Sequence, residues 1–123
     1  DMEGSRGLGD VYKRQKWGLI GLTKTWAMEL GPHKVRVNAL CPASVDGERI
    51  EAVMARDGEE RGVSVGDIRQ SYERQSSLQS FTRIEDIASM VCYLASDAGV
   101  RISGQAIGLD GHTETLGNSL GEI

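Results

Sequence analysis

Tyr12 and Lys16 stand four residues apart at the head of an apolar helical stretch. Residues at i and i+4 share one face of a helix, so a phenol and an ammonium can converge there on one point. A neighbouring ammonium favours the phenolate, which brings a tyrosine into range as a general acid/base. A lone Tyr-x-x-x-Lys is weak evidence, because both residue types are common on solvated helix faces. Its meaning rests on the elements that follow it.

Leu19, Leu22, Trp26 and Leu30 recur at three and four, and Ile20 and Ala27 widen the stripe. This predicts an amphipathic or nearly buried helix, with Trp17, Trp26 and the Met residues in a core or a subunit contact. Gly31-Pro32 ends it, as an αL-tolerant residue followed by one that cannot continue. Residues 34–41 read as a strand, with Val35, Val37 and Ala39 on one face and Pro42 as terminator. Asp46 to Ser80 is a polar insertion in which 13 of 35 residues are charged, too polar for a buried layer. Ile50, Val53 and Met54 suggest one short helix there, and Ser64-x-x-Asp67 caps a second running toward Tyr72. Thr82-x-x-Glu85 reads as a capping box for a helix with Ile84, Ile87, Ala88, Val91 and Leu94 on its apolar face. Gln105 to Leu109 is a short apolar strand closed by Asp110-Gly111. The order helix–strand–helices–strand leaves a crossover long enough for a parallel pair.

Lys16-Trp17-Gly18-Leu19-Ile20-Gly21, Val35-Arg36-Val37-Asn38-Ala39-Leu40-Cys41-Pro42, Ile102-Ser103-Gly104-Gln105 and Leu109-Asp110-Gly111 keep one order over roughly 100 residues. Together they resemble the C-terminal half of a short-chain dehydrogenase/reductase, a nicotinamide-dependent Rossmann-fold enzyme. The resemblance implies the fold class α/β: a partial Rossmann-type domain (doubly wound parallel sheet), the last two strands and their helices only. It also implies an NAD(P)-dependent oxidoreductase interconverting a secondary alcohol and a ketone by hydride transfer. Tyr12 and Lys16 would then be the catalytic proton-handling pair. Pro42-Ala43-Ser44-Val45-Asp46-Gly47 resembles the family's Pro-Gly-x-Val-x-Thr turn, whose backbone near the Val pairs with the nicotinamide carboxamide. The implied cofactor is NAD or NADP, held by Tyr12, Lys16, Pro42, Ala43 and Val45. Ala43 replaces the family Gly, and Gly47 stands where the Thr would be. Asp46 to Ser80 matches the family's variable, substrate-covering segment in position, and Ser44, Arg49 and Tyr72 are candidate substrate contacts. No G-x-x-x-G-x-G or G-x-G-x-x-G occurs in the chain, so the loop that cradles a pyrophosphate is absent from it.

Residues 1–15 are expected to be a non-native, adapter-derived segment, and residues 16–123 the C-terminal part of a single Rossmann-fold domain. Asp10 to Gln15 reads back into codons as GAT-GTG-TAT-AAG-AGA-CAG, which resembles the end of a transposon adapter. Lys13, Arg14 and Gln15 also replace the small residues usual between the family's Tyr and Lys. A natural N-terminus of unusual sequence is the alternative. The formal charge of −4, from 14 basic and 18 acidic residues, argues against general nucleic-acid binding. No apolar run approaches the ~18 residues of a membrane span. Without a secretory signal, Cys41 and Cys92 read as two free buried thiols and the cytoplasm as the default compartment. His33 and His112 lack metal-ligand spacing and read as surface residues, so no metal is expected. The partners implied are a small-molecule alcohol or ketone and, for the parent enzyme, a homodimer or homotetramer. A second function stays open: a non-catalytic oligomerisation fragment. On its own the chain is expected to be inactive.

Overall fold

In the computed structural model the described residues are 2–113, with side chains described at residue 11 and from residue 14 onward. The elements are α1 (Met2–Leu30), a 3-10 turn (Gly31–His33), β1 (Ala39–Pro42), α2 (Glu48–Arg61), α3 (Val65–Glu73), α4 (Ile84–Ala95), a 3-10 turn (Asp97–Gly99) and β2 (Ala106–Leu109). β1 and β2 pair as a two-stranded parallel sheet, and α2, α3 and α4 form the crossover between them. This is the partial Rossmann-type α/β arrangement implied by the sequence. The chain divides into two units: Asp1–Ala39 with Leu94–Ile107, and Leu40–Tyr93 with Gly108–Ile123.

In the first unit α1 runs unbroken from Met2, well upstream of the stretch in which helical periodicity is legible. It ends at Leu30, and the left-handed residue is Lys34 (φ 64°), three places later than Gly31. Pro32 permits one further 3-10 turn because a proline early in a helix forfeits no hydrogen bond. The strand is also shorter than its pattern: residues 34–38 are not β-structure. Side chains bind that segment instead. Arg36 donates through Nη1 to the carbonyls of Leu94 and, at 2.8 Å, Gly99. Asn38 donates to Ile102 O (2.9 Å) and accepts from Gln105 N (3.1 Å), while Ser103 Oγ accepts from Val37 N at 3.1 Å. Gly104 N donates to Val37 O at 2.7 Å, and Lys24 Nζ reaches Gly104 O at 2.8 Å. Gly104 itself has φ 71°, and a Cβ there would sit 3.4 Å from that of Ala27. The positive φ is what favours glycine at this point.

The apolar stripe of α1 is not covered. Trp17, Trp26 and Met28 are 62%, 47% and 75% exposed, so of the two expected roles, core or subunit contact, these three do not take the first among the described residues. In α4 no residue is buried, and Ile84 and Val91 lie more than half exposed. Cys41 is half-buried and Cys92 exposed; both thiols are free, but neither is buried as expected.

The second unit has the two largest fully buried side chains among the described residues. Met54 of α2 and Ile68 of α3 are each 2% exposed, with buried Gly58 between the helices. Ser64 caps α3 by accepting from Asp67 N at 3.2 Å, as its spacing predicts. Tyr72 Oη donates to Asp57 Oδ2 at 2.9 Å, and Asp57 also pairs with Arg61 at 2.9 Å, so a polar clamp adjoins the apolar one. Burial, then the hydrogen bond to Asp57, push the Tyr72 phenol above the ordinary tyrosine value. A folded-state value above the unfolded one stabilises the fold below the unfolded pKa and is lost as pH rises through the folded one. We therefore expect the α2–α3 pair to loosen only in strongly alkaline solution, above about pH 10. Tyrosinate absorbance at 295 nm checks this: Tyr72→Phe should delete the late phase of the titration, and Asp57→Asn should move it to lower pH.

Candidate functional site

After Pro42 the chain leaves β1 and makes one further pairing. Thr82 N donates to Ser44 O at 3.0 Å, and Asp46 N donates to Thr82 O at 2.8 Å. This is a one-residue parallel bridge between Val45 and Thr82. In such a bridge the flanking residues of one strand make both bonds, so Val45's own N–H and C=O point to the opposite edge. Neither group has a partner among the described residues. Thr82 is 8% exposed, and its Oγ1 donates to Leu109 O, the last carbonyl of β2. It therefore does not cap α4 as its spacing predicts. That duty passes to Asp86, whose carboxylate accepts from Arg83 N at 2.8 Å, shifting the cap by one residue. The bonds from Arg83 hold the Asp86 carboxyl below the usual carboxylate range.

Ala43 and Val45 line a cleft of about 540 Å³ with Ser44, Asp46, Arg49 and Val53. Its volume falls in the range of small-ligand sites, and its walls combine apolar side chains with a few polar groups. Of the implied cofactor residues, Pro42, Ala43 and Val45 lie on one short stretch of chain, with the latter two on the cleft. Of the three candidate substrate contacts, Ser44 and Arg49 face it. Tyr72 does not, since its hydroxyl is committed to Asp57. Lys16 lies exposed on α1 in the first unit and makes no hydrogen bond or ion pair among the described residues. Tyr12 is on the same helix, but its side chain falls outside the described residues.

Gly47 explains one departure from the family turn. Its φ of 154° with ψ −174° is a conformation open almost only to glycine, and the residue leads directly into α2. A threonine could not occupy this backbone without shifting the start of α2.

Two features are not visible in local sequence patterns. Thr82 matters as a tie between strand ends, not as a cap. Arg69 of α3 reaches Asp46 through Nη2 at 3.3 Å to each carboxylate oxygen, and its Cζ lies 4.8 Å over the Phe81 ring. Neither long-range pairing leaves a signal in local spacing. A second cleft of about 510 Å³ lies beside Ser77, Asp86, Asp110 and His112. There Ser77 Oγ meets His112 Nδ1 at 2.6 Å. The backbone of Ser77 and Leu78 bonds His112 and Gly111, which makes this a fastening of the chain after β2. Both histidines are exposed, as expected of surface residues. Among the described residues no group of three or more metal-ligating side chains occurs, and no helix is long and apolar enough to cross a membrane.

A family profile described as enoyl-(acyl carrier protein) reductase matches residues 3–112. The 3-oxoacyl-(acyl-carrier-protein) reductase of Thermotoga maritima is 33% identical over 100 residues, which is 81% of this chain and 36% of that protein. The crystal structure of a short chain dehydrogenase family protein from Francisella tularensis superposes with a TM-score of 0.79 at 26% identity, covering 85% of this chain and 43% of its own. A 4-hydroxyisoleucine dehydrogenase complexed with NADH gives a TM-score of 0.70 at 30% identity, covering 85% and 39%. The chain thus spans less than half the length of these relatives.

Thr82→Val keeps the shape but removes the donor to Leu109 O, which should cost about 1 kcal/mol. Gly47→Thr should cost about 1–3 kcal/mol through backbone strain. Urea titration followed by far-UV circular dichroism measures both, with Gly47→Ala already destabilised because the strain begins at Cβ.

Proposed function

The chain belongs to the short-chain dehydrogenase/reductase family of oxidoreductases, and we propose that residues 42–47 are the nicotinamide side of an NAD(P) site. The observation that carries this is Val45: its backbone N–H and C=O are unpartnered among the described residues, at the edge of a ligand-sized cleft. A primary carboxamide offers donors and an acceptor and so complements that pair. The cleft also lies just beyond the carboxyl end of a parallel strand, where open α/β sheets bind ligands. The residues present therefore fit a nicotinamide group. When bound, that group would supply or accept the hydride.

The chain's own residues would handle the rest. Tyr12 would give or take the proton at the substrate oxygen, while Lys16 would favour its ionised form and bind the nicotinamide ribose. The substrate would be a small secondary alcohol or ketone, received against Ser44 and the α2 wall. No Gly-rich pyrophosphate loop lies within the 123 residues. The chain alone therefore lacks the oriented cofactor that hydride transfer requires, and misplacement by itself costs on the order of 10²-fold.

A nuclear magnetic resonance titration separates the two halves of the cofactor. Nicotinamide mononucleotide should shift the Val45 amide saturably, with weak, roughly millimolar affinity; AMP should leave it unmoved. Intact NADH should gain nothing further, because nothing here grips its adenosine half. Shifts with AMP but not with the mononucleotide would reverse the assignment of the turn.

The exposed apolar faces of α1 and α4 favour a second reading, in which this piece serves subunit assembly without catalysis. Light scattering coupled to size-exclusion chromatography discriminates. A defined dimer or tetramer supports assembly, and heterogeneous aggregates argue against it.

A further inference from the structure

The geometry points to Arg69 as the positioning residue of the cleft, acting through Asp46 on the turn that carries Val45. This rests on the reading of residues 42–47 as the nicotinamide turn. The turn leads straight into α2, α2 packs on α3, and α3 returns Arg69 to Asp46, so residues 46 to 69 form a ring closed by one ion pair. Without that closure, α2 could swing about Gly47, the residue with the least steric restriction at the junction. With it, the α2 wall of the cleft (Arg49, Ile50, Val53) and the turn (Ala43, Val45) keep one relative position.

Arg69 is suited to this because three groups fix its guanidinium. Nε donates to Glu73 Oε1 at 2.8 Å, one turn along the same helix. That bond orients the plane so that Nη2 straddles both oxygens of Asp46 at 3.3 Å. Phe81, whose neighbour Thr82 bridges to Val45, supports the plane from one side at 4.8 Å. A lysine has the charge but neither the planar fork nor a second donor nitrogen. The side chains of Arg69, Asp46 and Glu73 are 37%, 41% and 31% exposed, so the pair is accessible to solvent but not free in it. Its effect should accordingly be on where the turn sits, with little effect on whether the chain folds.

The test uses the full chain and nicotinamide mononucleotide, read at the Val45 amide. Arg69→Met should weaken binding roughly fivefold, the scale of a partly exposed ion pair. Asp46→Asn should do the same, and Arg69→Lys should fall between. The Arg69→Met/Asp46→Asn double variant should be no weaker than either single one, because both remove the same link. A role in helix stability alone would instead give additive losses, and would make Glu73→Gln as harmful as Arg69→Met. Should Arg69→Met lose its helical circular dichroism, Arg69→Lys and Asp46→Asn carry the comparison. Wild-type binding that survives Arg69→Met and Asp46→Asn unchanged overturns the role of Arg69 while leaving the turn assignment intact. Failure of the wild-type chain to show a Val45 shift removes the turn assignment and the inference together.

Discussion

The site depends on how Thr82 is satisfied. A buried threonine has an N–H, a C=O and a hydroxyl to place, and leaving any one unpaired costs more than a typical hydrogen bond gains. Here all three are used: the N–H on Ser44, the C=O on Asp46 and the hydroxyl on Leu109. That bonding draws the turn after β1 alongside residue 82 and ties the same residue to the end of β2. The pairing rule for parallel strands then leaves Val45's own polar groups on the far edge. An open donor–acceptor pair on a residue that lines the cleft is thus a by-product of satisfying a neighbouring buried residue. It needs no side chain of its own, which is why the identity of residue 45 matters less than its register.

In the first unit the same requirement is met by side chains. Residues 35–38 have little regular pairing of their own: Ser103 Oγ accepts from Val37 N, and the side chains of Arg36 and Asn38 tie the segment to the backbone of Gly99, Ile102 and Gln105. The Asn38 amide bonds two points of the 102–105 loop at once, one as donor and one as acceptor. This places Ala39 so that its N–H meets Gln105 O at 2.9 Å and the sheet can begin. The Arg-Val-Asn-Ala and Ile-Ser-Gly-Gln stretches therefore act together, feeding one strand into register beside the other.

Much of this is legible in the sequence where a local rule decides. The Ser64 cap, the helices around Met54 and Tyr72, and the strand ending at Leu109 follow from capping chemistry and apolar spacing, and they occur as predicted. The misreadings arise where a distant partner prevails over the local one. Thr82 has the spacing of a cap, but the Leu109 carbonyl takes its hydroxyl, and Asp86 caps α4 one residue later. Val35 and Val37 have a strand's alternation, but side-chain bonds from Asn38 and Ser103 hold that stretch in another conformation. Arg69 is one of many charges on a polar insertion. Nothing nearby in sequence distinguishes it from Arg74, because its meaning lies 23 residues upstream, at Asp46, and downstream at Phe81.

The apolar faces sharpen the same point from the energetic side. Leu19, Leu22 and Trp26 of α1 keep the period of a buried stripe, yet Trp26 is 47% exposed and Leu19 58%. Burying a side chain of this size is worth roughly 1.5–3 kcal/mol, so a helix with several left open gives up much of the stabilisation its sequence encodes. Helices in proteins gain most of their stability from such packing. The pattern is therefore a record of contacts that these described residues do not make by themselves. The α2–α3 pair contrasts with it, since Met54 and Ile68 are buried within one continuous stretch of chain. It follows that the cleft wall is built from the element that stabilises itself, whereas the helix bearing Lys16 relies on packing that these residues do not provide. The cleft and its turn can therefore be probed in this chain more directly than the proton-handling role proposed for Tyr12 and Lys16.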